Sequence, residues 1–265
     1  MDRQLLDLRH VKWGDWRHGA TSGVFPKEKI GDRYYKLSAY NPDFGIYGIQ
    51  SISEVIASRV GKIIGIDCVE YRLGPAIVRL KNIEMETVVC ESNDYNVQNE
   101  GILVFEDLYT SRIRTKGEIS PLEFCCEIGI KDRVYKMFVL DYLINNIDRH
   151  GRNIEILVDD RGVMRLAPLF DFGLSLFSSK EDTNLVDSLD SDQMLVNSFI
   201  GSPNLKRNLS LIDIQICLRG LNSGHKEAIF EGLDEYVSQE RIEYLWRCLM
   251  RRFEVLRGME NIIWY

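Results

Sequence analysis

Asp148, Asn153 and Asp171 carry most of the chemistry that this sequence can do. The first two lie in Asn146-Ile147-Asp148-Arg149-His150-Gly151-Arg152-Asn153, and the third opens Asp171-Phe172-Gly173. A phosphoryl-transfer site needs a carboxylate beside the acceptor hydroxyl, hard oxygen ligands for magnesium, and a lysine on the nucleotide phosphates held by a glutamate. Asp148 suits the first role, orienting the acceptor and taking its proton. Asn153 offers an amide oxygen to the metal and Asp171 a carboxylate. Asp-Phe-Gly alone recurs by chance, and its spacing after Asp-x-x-x-x-Asn is what gives the pattern weight. The plainer reading is a polar turn ending a helix, followed by an aspartate at a strand end.

Lys36 supplies the lysine. It sits in Tyr34-Tyr35-Lys36-Leu37, among residues that would partly bury it, and a buried ammonium needs a partner. Glu54, in the next helical segment, is that partner; the alternative is an edge-strand lysine and a surface glutamate. Upstream, Gly19-Ala20-Thr21-Ser22-Gly23-Val24-Phe25-Pro26-Lys27 is a candidate phosphate loop, with Ser22 and Gly23 nearest the nucleotide. Glycines let backbone N–H groups approach phosphate oxygens. The stretch is neither a Walker A nor a GxGxxG motif, and an ordinary turn fits it as well. His150 has the side chain of a general base, but its place between Asp148 and Asn153 suits a hydrogen bond that fixes the loop. No GxSxG elbow supports a Ser/His/Asp hydrolase.

These residues need elements to hold them. Asp32–Ser38 reads as a strand. Over Ser51–Ile64, Ile52, Val55, Ile56, Val60, Ile63 and Ile64 recur at helical spacing, with Gly65 as a stop. Short strands are expected at Cys68–Leu73, Ala76–Leu80 and Glu86–Cys90, then a polar break over Glu91–Glu100 and an apolar run over Gly101–Leu108. Ser120-Pro121-Leu122-Glu123 forms a capping box that starts the helical half. A helix over about Asp132–Ile144 leads to the Asp148 loop. A hairpin of Ile154–Val158 and Val163–Leu166 would return Asp171 beside Asn153. The polar stretch Phe177–Asp192 reads as a loop, and helices are expected at Leu211–Leu218, His225–Val237 and Gln239–Leu256.

The 265 residues suffice for one large domain or two small lobes around a cleft. A formal charge of -7 gives no general nucleic-acid footprint. Arg247, Arg251, Arg252 and Arg257 form a local basic cluster, read as the solvated face of a helix. The six cysteines form no CxxC pair, which argues against zinc. No apolar run approaches the roughly 20 residues of a membrane span. The opening Met-Asp-Arg-Gln lacks a signal-peptide pattern, so a reducing cytoplasm is the expected compartment.

Asn146-x-Asp148-x-His150-x-x-Asn153, then Leu166-Ala167-Pro168-Leu169-Phe170-Asp171, resembles the kinase core of HipA-like serine/threonine kinases, in their short, CtkA-like form. The helix from Ser53-Glu54-Val55-Ile56-Ala57 to Gly65-Ile66 resembles it too. The resemblance covers about residues 18–256 and is most specific around 140–173. It implies an α+β, bilobal protein-kinase-like fold: a strand-rich N-lobe over about 1–93 and a mainly helical C-lobe over about 94–265. It implies ATP and Mg2+ as cofactors and transfer of phosphate to a protein serine or threonine. A small-molecule or lipid kinase, or a nucleotide-binding pseudokinase, are the alternatives. It also implies a protein substrate, an antitoxin-like or regulatory partner, and a secreted effector as the alternative to a cytoplasmic protein. Asp148 becomes the catalytic aspartate, Asn153 and Asp171 the metal ligands, and Lys36 with Glu54 the nucleotide pair. The adenine hinge falls at Val89-Cys90-Glu91-Ser92, with Phe105–Asp107 as its rival. The sequence departs from the family where the toxins carry an extra N-terminal subdomain and a regulatory phosphate-loop serine, here Ala20. The phosphate-loop glutamine of many members is replaced by Phe25.

Overall fold

The computed structural model describes residues 5–13, 25–41, 45–80, 82–98, 100–176 and 194–265. The chain opens with strands β1 (Leu6–Leu8), β2 (Lys27–Ile30), β3 (Arg33–Lys36), β4 (Ala39–Asn41) and β5 (Gly45–Tyr47). Helix α1 (Gln50–Ile64) follows, then β6 (Tyr71–Leu80) and β7 (Ile83–Asn93). Five strands form one sheet in the order β1-β6-β7-β3-β2, while β4 and β5 pair with each other. The separate short strands expected over Cys68–Cys90 are in fact two long ones. All ten residues of β6 pair with β7, so cross-strand pairing overrides the breakers Gly74 and Pro75. The β7 strand also runs on into the expected polar break, through Asn93.

Helix α1 packs on β6 and β7. Its apolar stripe is buried, and Gly65 ends it in the left-handed conformation at φ 80, where glycine carries no Cβ penalty. Ser53 and Glu54 are buried as well, so α1 brings polar groups into the interior along with its core face.

The second half begins with β8 (Gly101–Val104), α2 (Phe105–Lys116), α3 (Pro121–Glu127) and α4 (Lys131–Leu143). The expected capping box starts α3: the Glu123 N–H donates to Ser120 Oγ, and the Ser120 N–H donates to Glu123 Oε2 at 2.7 Å. After α4 come β9 (Asp148–Arg149), β10 (Glu155–Val158) and β11 (Met164–Leu166), the last two antiparallel with β8 on the far side of β10. The rest comprises β12 (Asn197–Ser198), α5 (Leu205–Leu209), β13 (Ile216–Leu218), α6 (Lys226–Phe230), α7 (Gln239–Arg257) and β14 (Ile262–Trp264). Helix α4 is the hub of this half; it packs on α3, α5, α7 and β13.

Three expectations are corrected here. Leu211–Leu218 is not a helix: Ile212, Ile214, Ile216 and Leu218 alternate at period two, and β13 pairs in parallel with β14. The helix expected over His225–Val237 shrinks to α6, because Gly232 turns the chain at φ 67. Arg247, Arg251 and Arg257 are exposed on α7, but Arg252 is buried. Its guanidinium donates to Tyr142 O at 2.6 Å and Asn145 Oδ1 at 2.8 Å, capping the carbonyl end of α4. The Phe177–Asp192 stretch lies outside the described residues. Among the described residues no helix is long and apolar enough to cross a membrane.

Candidate active site

Lys36 ends β3, in register with Cys90 of β7. Its ammonium pairs with both the Glu54 and the Asp171 carboxylates. The Glu54 side chain is fully buried, a costly place for a carboxylate without partners. Lys36 is one partner, and the Phe172 N–H, donating to Oε2 at 2.7 Å, is the other. Burial raises Glu54 above the ordinary carboxylate range despite Lys36. Burial would lower Lys36, but Asp171 and Glu54 together hold it above the usual lysine value. Asp171 is held below its usual range: burial opposes this, and the Lys36 charge outweighs it. Lys36 thus supports the charge on both carboxylates, while burial and Asp171 work against the charge on Glu54.

Asp171 takes the left-handed conformation at φ 59, one of the few non-glycine types that tolerate it. Its N–H is 3.4 Å from Tyr71 Oη, and the next residue, Phe172, is fully buried. The Asp171-Phe172 step therefore sends the ring into the core and the carboxylate to Lys36.

The second half of the site hangs on Arg149, a residue that the sequence reading did not single out. Its side chain is 2% exposed and forms a bidentate pair with Asp141 of α4, at 3.0 and 2.9 Å. A third guanidinium nitrogen donates to Asn153 O at 3.2 Å and Phe170 O at 2.8 Å. One planar group therefore joins α4, the Asp148–Asn153 loop and the residue before Asp171. It also lies 5.3 Å from the centre of the Phe172 ring. Asp141 carried a sequence signal: it is the one charge in the apolar run Met137–Ile144, and a carboxylate there demands a partner.

Within the loop, the Asp148 N–H donates to Asn146 Oδ1 at 3.2 Å. The Asn153 amide N–H donates to Asp148 O at 3.1 Å, so its amide oxygen takes no part in that bond. Hard oxygens from one carboxylate and one amide suit magnesium, which completes its shell with water and substrate phosphates. Among the described residues no group of three or more His, Cys, Asp or Glu could hold a metal alone.

Lys36, Tyr71, Cys90, Ser92, Tyr95 and Asp171 line a cleft of about 320 Å³. Phe170 also lines it; its ring stacks on that of Tyr95, centroids 6.1 Å apart, and the Tyr95 hydroxyl donates to Glu155. Of the expected hinge, Val89 is buried within the sheet, Cys90 and Ser92 face the cleft, and Glu91 lines a recess with Arg33. Its rival, Phe105–Asp107, forms the first turn of α2. His150 does not line the cleft. Its Nε2 is 3.9 Å from Asp148 Oδ2, and its buried Nδ1 has no hydrogen-bond partner among the described residues. Ser22 and Gly23 lie outside the described residues. Phe25, at the expected glutamine position, is buried with its ring centre 5.5 Å from the Lys36 ammonium.

No protein-family model and no curated protein matches the chain. Among solved structures, the proinflammatory kinase CtkA of Helicobacter pylori aligns over 95% of both chains, with a TM-score of 0.58 and 18% identity. The chain has the fold of CtkA. That agrees with the short, HipA-like kinase resemblance of the sequence. HipA of Shewanella oneidensis MR-1, solved with HipB and its operator DNA, is a remoter match: TM-score 0.40 and 14% identity, over 86% of this chain and 53% of that one.

Proposed function

We propose that this chain is a two-lobed kinase that passes the γ-phosphoryl group of ATP, with magnesium, to a serine or threonine hydroxyl of a protein. The lobes are residues 1–93 and 94–265, with the 320 Å³ cleft between them. The observation that carries this reading is the Lys36–Glu54–Asp171 network opening into that cleft, joined through Arg149 to the Asp148–Asn153 loop. The fold of CtkA, itself a kinase, supports it.

Each residue has a separable task. Lys36 sets an ammonium against the phosphate oxygens, and Glu54 holds it there. Asn153 and Asp171 would hold a magnesium ion, which would supply positive charge to the phosphate oxygens. Asp148 orients the acceptor hydroxyl and takes its proton as the acceptor oxygen bonds to the γ-phosphorus. The bridging oxygen then leaves with ADP. Positioning and fixed charge supply most of the rate, because the network is built before substrate arrives.

The test is transfer from radiolabelled ATP by the wild type, Asp148→Ala and Asp171→Ala, with the chain alone, lysate proteins and small hydroxyl compounds as acceptors. Label should appear on protein serine or threonine. Asp148→Ala should lose about 10²- to 10⁴-fold in rate and keep Mg-ATP affinity, as removal of a general base does. Asp171→Ala should lose both. Label on small compounds alone would reassign the acceptor, and transfer by Asp148→Ala at the wild-type rate would end the assignment.

A further inference from the structure

Asp148 is met by a side chain from 49 residues further along the chain. Strand β12 runs parallel to β9, with Asn197 in register with Asp148 and Ser198 with Arg149. The Asn197 amide donates to Asp148 Oδ1 at 2.9 Å. No hydrogen bond reaches the other oxygen among the described residues: His150 Nε2, at 3.9 Å, is beyond hydrogen-bond reach. The carboxylate is therefore held by one oxygen, and Oδ2 is left for another group.

An exposed side-chain hydrogen bond is ordinarily a weak constraint, and Asn197 is exposed. Here the backbone removes most of the freedom that would weaken it. The Asn197 N–H donates to Ile147 O at 2.9 Å, and the Phe199 N–H to Arg149 O at 3.0 Å. Val196 and Ile200 on either side are buried. The Phe199 ring stands edge-on to Phe105 and Tyr109, at 5.9 and 5.7 Å. The amide is thus fixed on the loop it serves, as an orienting group must be to act without reorganising.

We propose that Asn197 is a positioning residue for phosphoryl transfer, its amide holding Oδ1 of Asp148 so that Oδ2 meets the acceptor hydroxyl. This rests on the kinase reading above. It ties the alignment of the base to β12, an element far from the nucleotide cleft in sequence and absent from its lining.

The test uses the full chain with Mg-ATP, reading ATP hydrolysis, where water is the acceptor, and phosphoryl transfer to lysate proteins. Asn197→Ala should lower kcat by about ten- to a hundredfold, the range of a hydrogen bond to a charged group. The KM for ATP should stay within about twofold, because the lost contact does not touch the nucleotide. Asn197→Asp keeps the shape but loses the donor and adds a like charge, so it should lose more than Asn197→Ala. Asn197→Gln keeps the amide and should recover part of the loss. A role in packing alone reverses that order, leaving Asn197→Asp near the wild type and Asn197→Gln the worst. That order, a wild-type kcat in Asn197→Ala, or a loss confined to the KM for ATP overturns the proposal. A wild type with neither Mg-ATP binding nor turnover marks failure of the kinase reading itself, and the proposal falls with it.

Discussion

Replacing Arg149 by methionine tests how the site is assembled. The change leaves the apolar length of the side chain and removes every charge-assisted bond. Asp141, with its side chain 3% exposed, then keeps the Asn146 amide, at 2.9 Å, as its one hydrogen-bond donor among the described side chains. The carbonyls of Asn153 and Phe170 lose their guanidinium donor. Breaking a buried pair from one side costs about 3–5 kcal/mol, because it strands the other charge. That is a large share of the roughly 5–15 kcal/mol that holds a domain folded. At about 2–4 °C per kcal/mol for a chain near this size, the melting temperature should fall by roughly 6–20 °C.

The double variant Arg149→Met/Asp141→Leu separates stability from function. Exchanging a buried pair for apolar groups is often neutral, so the melting temperature should return most of the way. The tie between the Asp148–Asn153 loop and Phe170 stays lost, so phosphoryl transfer should stay low. Calorimetry reads the first quantity and transfer from labelled ATP the second. A single variant that loses under about 1 kcal/mol would refute the stranded-charge argument. A double variant that regains transfer along with stability would show that Arg149 matters to folding alone.

Two other changes probe the same network. Because the folded-state pKa of Lys36 is raised, its pairing is fully present below the unfolded value and is lost as pH rises through the folded one. The melting-temperature gap between wild type and Lys36→Met should therefore hold steady from about pH 8 to pH 10 and narrow only above that, which a pH series of melts checks. Gly151→Ala would place a Cβ 2.7 Å from that of Glu106 and 3.0 Å from the Phe199 ring. It should cost about 1–3 kcal/mol as overpacking and depress transfer while sparing Mg-ATP affinity, as calorimetry and titration would show.

What could be read in the sequence follows how local each feature is. Asp148 and Asn153 fall within one loop, and Asp171 follows the β10–β11 hairpin by five residues, so their types and spacing could be read locally. Lys36 and Glu54 were legible as a strand lysine and the helix glutamate that follows it. The Ser120–Glu123 box and the Gly65 stop are governed by the backbone within a few residues, and both are present. The misread parts depend on distant partners. Leu211–Leu218 becomes a strand because β14 lies beside it, and β6 runs through Gly74-Pro75 because β7 does. Arg252 looked like solvated charge until α7 packed on the end of α4.

The residues that the sequence reading missed share one character. Arg149 and Asp141 act on the site through each other and through backbone carbonyls, and Asn197 acts through Asp148, by bonds that reach as far as 49 residues. Their side chains are ordinary for a polar loop or a helix, so type and spacing say nothing of their work. The exception is instructive. Asp141 interrupts an apolar helical run, and the cost of burying a lone carboxylate already calls for a cation nearby. Arg149, eight residues on, answers it with two parallel bonds. A buried-charge argument would therefore have called for a cation beside Asp141 before any coordinates. Asn197 offered no such signal, because an exposed amide costs nothing to leave unpaired.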